Sequence, residues 1–441
     1  MERDTIPGRT GEGIAASALA AVPQPFGMDH EPTIRVQVIS SLPGLEQARG
    51  LWESLWSVCE DRTPFLSYDW VRTWAGVYAE GSRLNTLVIT CGAEPIAIIP
   101  LVLVHHAHGI LSADALETAA GDSRNLIALV KPGAERVAAQ TFCQYLRDEL
   151  CRSTDCAHLK LVPSETSFLN ALRNAVATER ELELSLRRST AAPYVQLPAE
   201  WSEYWRTLSG SRRKTLRRMY RRLTEAHDVS FEHCAGGDVE SAMEQLYRLH
   251  QCRWNAVGIR GLFGDERNRN FHTTMVRNLQ ARGWVDVSRL RIDGEVVSVH
   301  LVLRLDGVLY CLRSGRTLSY REYGIGHLHD MMMLQRAVGM GADEVDFLRG
   351  TEPYKYYWAR NDRTYVNLVI TRRTRSAPWG ASAVAAKLRL NAFLEHKHTP
   401  LELAAILRMR RREAAELRSI KRARAKSSLD SEGVFRRRGT A

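Results

Sequence analysis

The sequence predicts an α/β (α+β) chain: two related units in tandem, each a mixed, mostly antiparallel sheet flanked by helices, followed by a basic helical C-terminal tail. Three observations carry this expectation. Strand-like alternation joined by Asp-Gly turns runs from Val285 to Arg313, with segments of helical period on either side. Ile89–Leu103 (ITCGAEPIAIIPLVL) parallels Leu290–Leu303 (LRIDGEVVSVHLVL), and each is followed by a further strand, a helix and a strand. A chain of 441 residues also exceeds one ordinary core.

Taken in order, residues 1–32 are rich in Pro, Gly and Ala without a sustained period and are expected to be a disordered extension. Ala18-Leu19-Ala20 resembles a cleavage site, but the apolar stretch before it is too weak for a signal peptide. The first unit, 33–188, opens on a strand at Thr33–Ile39 and a helix over about Leu45–Cys59, with Leu51, Leu55 and Val58 on one face. Pro64-Phe65-Leu66-Ser67-Tyr68-Asp69-Trp70 opens a second helix. Leu84–Val104 reads as two strands broken at Cys91–Pro95, and a helix over about Gly133–Leu150 and a strand at Ala157–Val162 follow. A linker is expected around Ser189–Trp205.

The second unit, 189–375, repeats the plan. A helix at about Leu208–Ala226 precedes a strand at Val229–Cys234, a helix at Ser241–Asn255 and a further helix before Gly283. Strands at Val285–Ile292, Glu295–Leu305 and Val308–Arg313 come next, joined by Asp293-Gly294 and Asp306-Gly307. Arg321-Glu322-Tyr323-Gly324-Ile325-Gly326 then leads into a helix from His327 to Val338, a strand at Glu344–Leu348 and a last strand at Tyr365–Thr371. Strand, glycine-bearing turn and helix N-terminus suit a phosphate, because backbone N–H groups converge and the glycines allow close approach. The corresponding stretch of the first unit, Ala120–Asn125, has no such pair of glycines. The second unit is therefore the one expected to hold a donor.

Charge is uneven. The stretch from Arg372 to the end carries 18 Lys and Arg against 6 Asp and Glu, and the remaining chain 43 against 44. The basic pI thus belongs to the tail, 376–441, for which an anionic partner is expected: a membrane surface, tRNA or an acyl carrier protein. The helix from Ser211 to Leu223 is the other basic element. Leu216, Met219, Tyr220 and Leu223 form its apolar stripe, and Arg212, Arg213, Lys214, Arg217, Arg218, Arg221 and Arg222 cover the rest. That face is either solvated or a site for phosphates or RNA. The eight cysteines include no Cys-x-x-Cys, and no apolar run approaches the roughly eighteen residues of a membrane span. A cytoplasmic protein without an integral membrane segment is expected, at most peripheral to the inner face of the membrane. His105, His106 and His108 lack further ligands at metal-binding spacing, so no metal is expected.

With these pieces in order, the chain resembles the GNAT acyltransferase superfamily. More narrowly it is similar to the tandem-GNAT group related to cellulose-biosynthesis acetyltransferase-like and Fem-type aminoacyltransferase proteins. The family's cofactor loop reads Gln/Arg-x-x-Gly-x-Gly/Ala between a strand and a helix, and Arg321, Gly324 and Gly326 match it. Pro64–Trp70, Ser211–Arg218 and Asp346-Phe347-Leu348-Arg349-Gly350-Thr351-Glu352-Pro353-Tyr354-Lys355 extend the resemblance, which covers about residues 33–372.

The resemblance implies acetyl-CoA or another acyl-CoA as co-substrate. Its pantetheine is expected along Val308–Arg313, and its diphosphate on the amides around Arg321, Tyr323, Gly324, Ile325 and Gly326. Transfer to an amine needs a base and an acid for the leaving thiolate. Asp346 and Glu352 are the candidate bases, with His300 as another. Tyr354 is preferred over Tyr356 and Tyr357 as the acid, and Arg349 or Lys355 suits an acidic group on the acceptor. The plainer reading pairs Asp346 with Arg349, packs Tyr354 beneath the helix and makes His300 a satisfied core residue. The expected function is acyl transfer from CoA to a small-molecule or saccharide amine, such as an amino sugar or polysaccharide precursor. The alternatives are a Fem-like transferase using aminoacyl-tRNA or acyl carrier protein, and a catalytically inactive GNAT-like binding protein.

Overall fold

Glycine and aspartate at the hairpin turns set the geometry of the second half. Asp293 and Gly294 have φ of 50° and 81°, and Asp306 and Gly307 have 47° and 74°. Left-handed backbone at both central residues gives the type I′ twist that antiparallel strands require. The computed structural model describes residues 33–373, apart from 80–82, 109–110, 120–126, 153 and 257, together with Arg411. The expected N-terminal extension, the Ala120–Asn125 stretch and the basic tail apart from Arg411 lie outside these residues.

The first half comprises β1 (Ile34–Ile39), α1 (Leu42–Gln47), α2 (Arg49–Val58), α3 (Tyr68–Tyr78), β2 (Arg83–Leu84), β3 (Thr86–Cys91), β4 (Glu94–Ile99), β5 (Leu101–His108), β6 (Leu111–Thr118), β7 (Leu129–Val130), α4 (Glu135–Arg152), β8 (Cys156–Pro163), α5 (Ser167–Thr178) and β9 (Leu182–Gln196). The second comprises α6 (Trp201–Thr207), α7 (Gly210–Ala226), β10 (Val229–Cys234), α8 (Asp238–Asn255), α9 (Glu266–Ala281), β11 (Val285–Ile292), β12 (Glu295–Leu305), β13 (Val308–Arg316), α10 (Ile325–Gly339), β14 (Glu344–Asp346), α11 (Lys355–Trp358) and β15 (Asn361–Arg372). The helix expected from Leu45 to Cys59 is two helices meeting at Ala48, and the linker expected at Ser189–Trp205 is occupied by the end of β9 and by α6.

The repeat is visible in the pairing. β1 pairs with β3 and β3 with β4, as β10 pairs with β11 and β11 with β12, all antiparallel. Each half then contains a parallel pair, β6 with β8 and β13 with β14. The halves differ at Pro100. Where β12 runs unbroken, Pro100 ends β4, which stays in a four-stranded sheet, and β5 joins a sheet of eleven strands. Proline has no N–H to donate and marks such breaks.

The large sheet runs β10-β11-β12-β13-β14-β9-β15-β8-β6-β5-β2. Its centre is a reciprocal exchange. β9, the last strand of the first half, pairs with β14 of the second, and β15, the last strand of the second half, pairs with β8 of the first. β9 and β15 also pair with each other along most of their length. The eleven-stranded sheet thus draws strands from both halves, whereas the four-stranded sheet, β1-β3-β4-β7, belongs to the first alone.

The Pro64–Trp70 stretch fastens the halves together. Phe65 meets Tyr310 edge to face at 5.4 Å, Trp70 meets Phe271 at 5.2 Å, and Asp69 and Glu53 both accept from Arg282. One apolar core accordingly contains Trp52, Phe65 and Trp70 beside Leu246, Phe271 and Tyr310. Among the described residues no helix is long and apolar enough to cross a membrane.

Candidate active site

The site opens where two parallel strands part. β13 pairs with β14 only from Val308 to Tyr310, opposite Glu344 to Asp346. Beyond Tyr310, β13 continues along β12 to Arg316, while the other chain bends away through Leu348 and Gly350, at φ of 57° and 111°. Asp346 fixes that divergence. It is completely buried, its Oδ1 accepts the Leu348 N–H at 2.7 Å, and its Oδ2 accepts from Arg363 at 3.2 Å. Arg363 also binds Glu344 at 2.6 Å. Asp346 is not among the residues that line the resulting cleft of about 590 Å³, a volume typical of small-molecule sites. A second cavity, of about 460 Å³, lies at the seam of the two halves around Arg62, Asp306 and Arg363, away from the glycine turn.

His300, Asp330, Cys311, Glu352, Tyr354 and Lys355 all border the cleft. Asp330 is one turn beyond Gly326 on α10 and stands outside the residues that the sequence pattern singles out. Burial pushes its carboxyl up to about 7, although Trp358 Nε1 donates to it at 3.2 Å and Arg316 lies near. A carboxyl poised there exchanges a proton at neutral pH. His300 Nε2 is 3.8 Å from Asp330 Oδ1, and burial, then Arg316, pull the His300 imidazole down to about 3. It is neutral at ordinary pH. Its ring stacks on His329 at 3.8 Å, and His329 is itself held between the Ser288 and Ser298 hydroxyls at 3.0 and 2.7 Å.

Tyr354 is half-buried. Burial, followed by the neighbouring Glu352, Asp330 and Cys311, keeps its phenol firmly protonated. Burial does the same for the Cys311 thiol, which is thereby a poor nucleophile. Lys355 is a strut for the bend: its Nζ donates to the carbonyls of Leu348 and Arg349 at 3.2 and 2.6 Å and pairs with Glu352 at 2.9 Å. Arg349 is exposed and borders the cleft.

The glycine turn stands beside this cleft. Arg321–Tyr323 form a single 3₁₀ turn, Gly324 adopts φ 68°, and α10 begins at Ile325 with no side chain capping its first-turn amides. A Cβ at Gly324 would meet Met219 of α7, and one at Gly326 would lie 2.8 Å from the Arg316 guanidinium. The turn is therefore packed against α7 and has the Arg316 guanidinium beside it. Arg222 lies over the Tyr323 ring at 5.6 Å, and Arg212 over Tyr357 at 4.9 Å. Uncapped amides, the helix dipole and Arg316 together favour an anion at this point.

Of the α7 stripe, Leu216 and Leu223 are buried while Tyr220 is exposed, because the helix lies along the surface and touches the body on a narrow face. In the first half, His106 and His158 share the Glu117 carboxylate with Lys160, and His105 binds Asp114. The side chain of His108 lies outside the described residues. No group of three ligating side chains is placed to hold a metal among the described residues.

Residues 210–356, from α7 to the start of α11, match the family described as acetyltransferase (GNAT) domain. No curated protein matches the chain. Among solved structures, FemX shares the fold at a TM-score of 0.52 and 9% identity, over 77% of this chain and 97% of its own. A conserved protein of unknown function from Bacteroides thetaiotaomicron VPI-5482 aligns at TM-score 0.47 and 12% identity, over 77% of this chain and all (100%) of its own. A tandem GNAT protein from the clavulanic acid biosynthesis pathway aligns at 0.43 and 11%, over 77% and 98%. Residues 210–356 thus match a GNAT acetyltransferase domain, within a chain that shares the fold of FemX.

Proposed function

We propose that the cleft transfers an acyl group from acyl-CoA to an amine. The observation that carries this reading is the opening between β13 and β14, bordered by Asp330 and Tyr354 and flanked by the uncapped N-terminus of α10. Beyond Tyr310, β13 has no strand partner on the cleft side among the described residues, which leaves backbone groups to pair with an extended amide-bearing arm. The first-turn amides of α10, with Arg316 and Arg321, would hold the diphosphate.

The chemistry needs one proton taken and one given. The amine nitrogen bonds to the acyl carbon as the carbon–sulfur bond breaks, the Asp330 carboxylate takes the nitrogen's proton, and the Tyr354 hydroxyl protonates the departing sulfur. Asp330 then returns its proton to the Tyr354 oxygen through solvent. Asp330 replaces Asp346 as base in this scheme, because Asp346 is committed to Arg363 and the Leu348 amide. Trp358 orients Asp330 by donating to it, and neutral His300 lies 3.8 Å from its other oxygen. Glu352 serves by holding Lys355.

The test is thiol release from acetyl-CoA with pools of amines, followed by mass analysis of the products. Acceptor-dependent thiol release with a matching acylated product supports the reading, and its absence across amino acids, amino sugars and polyamines sinks it. Transfer from aminoacyl-tRNA is the second reading. It is favoured by Lys214, Arg217, Arg218, Arg221 and Arg222, which are exposed on α7 beside the turn, and it predicts salt-sensitive tRNA binding.

A further inference from the structure

The helix α11 spans only Lys355–Trp358, and a single helical turn has little stability of its own. Its last carbonyls find no donor within the helix, so the groups that donate to them decide how it sits. Two such donors come from the helices before β10. Arg212 of α7 donates through Nη1 to the Tyr357 carbonyl at 2.6 Å and lies over the Tyr357 ring at 4.9 Å. The Tyr204 hydroxyl of α6 donates to the Trp358 carbonyl at 3.3 Å. The Tyr357 ring also stacks at 4.2 Å on His327, in the first turn of α10.

Held in this way, α11 carries Trp358 into the interior, where its Nε1 donates to Asp330 Oδ2 at 3.2 Å. Contacts therefore run from Arg212 through Tyr357 and Trp358 to Asp330, and the acyl-transfer scheme gives Arg212 no task. A hydrogen bond to a carboxylate favours the ionised form, so Trp358 opposes the burial that keeps the proton on Asp330. The other groups that face Asp330 are His300 of β12, Cys311 and Arg316 of β13, and Tyr354. Around neutral pH His300 is uncharged, and Cys311 and Tyr354 keep their protons. Asp330 is the member of this group that titrates there.

We propose that Arg212 is a positioning residue: by holding α11 at the Tyr357 carbonyl it keeps Trp358 Nε1 on Asp330, so that the basic helix α7 sets the protonation of the base. The word base rests on the acyl-transfer reading, whereas the chain of contacts from α7 to Asp330 does not.

The test compares Trp358→Phe, Arg212→Ala, Arg212→Lys and the double variant Arg212→Ala with Trp358→Phe, all in the full chain and with folding checked by circular dichroism. In thiol release from acetyl-CoA, Trp358→Phe should move the acidic limb of kcat/KM to higher pH by about one unit, the effect of one hydrogen bond to a charged group. Arg212→Ala should move it in the same direction by about half a unit or more. Arg212→Lys still offers the carbonyl a donor and should move it less. The double variant should go no further than Trp358→Phe alone, because both substitutions act through one bond. A limb that stays in place in Arg212→Ala, or a shift that adds in full to that of Trp358→Phe, overturns the proposal.

Thermal unfolding across about pH 5–9 reads the same group without substrate, each protein being compared with its own Asp330→Asn form. A carboxyl raised in the folded state loses its stabilising contribution as pH climbs from the unfolded value through the folded one. The pH at which that loss levels off should therefore rise in Trp358→Phe and in Arg212→Ala. If no amine is turned over, this measurement decides: a rise in Arg212→Ala upholds the positioning role while counting against acyl transfer, and no rise overturns it.

Discussion

Replacing Asp330 by Asn separates a base from a structural carboxylate. Asp330 is buried, and its carboxyl is raised to about 7. A carboxyl raised in the folded state is stabilising when protonated, and that contribution disappears as pH climbs from the unfolded value toward the folded one. Between pH 4 and 8 the rise is equivalent to about 4 kcal/mol of lost stability. Asparagine keeps the shape and can still accept from Trp358 Nε1, but it never ionises. Asp330→Asn should therefore unfold at a higher temperature than the wild type at pH 8 and show little gain at pH 4. As the base must be ionised to work, kcat/KM of the wild type should fall with decreasing pH through about 7, and the variant should lose about 10²- to 10⁴-fold at pH 8. The assays are differential scanning calorimetry and thiol release across pH 5–9. A variant that keeps wild-type turnover, or is less stable than the wild type at pH 8, would refute the assignment.

Further outcomes follow from the same contacts. Tyr354→Phe should lower kcat by about 10²-fold with KM little changed, as expected on losing a proton donor to the leaving group, which steady-state kinetics will read. Arg363→Ala strips the buried Glu344 and Asp346 of their shared cation and should destabilise the fold by about 3–5 kcal/mol in urea titrations. A fragment ending at Arg188 lacks half of β9 and the whole of β15, and by circular dichroism it should show no cooperative unfolding transition.

Much of this is legible in the sequence. The Asp-Gly turns, the repeat and the glycine turn all depend on local rules, in which residue type and period settle the backbone. Glu352, Tyr354, His300, Arg349 and Lys355, which border the cleft, lie in one contiguous segment and one strand. What was not legible depends on distant partners. Asp346 is a candidate base in the sequence, where nothing in its neighbourhood announces Arg363, seventeen residues on and in another strand. Asp330 was passed over because an acid on a helix usually faces water, and only the approach of Trp358 and His300 shows that this one does not. The exchange of β9 and β15 was hidden for the same reason: an alternating strand names its faces but not its neighbours.

The central claim is that the opening beside α10 is an acyl-CoA site, and isothermal titration of the full chain with acetyl-CoA tests it most directly. Saturable binding to one site is predicted, weakened at least about tenfold in Gly326→Asp, where a carboxylate would stand at the helix N-terminus against the incoming phosphates. No heat of binding in the wild type, or equal affinity in a folded Gly326→Asp, would contradict it.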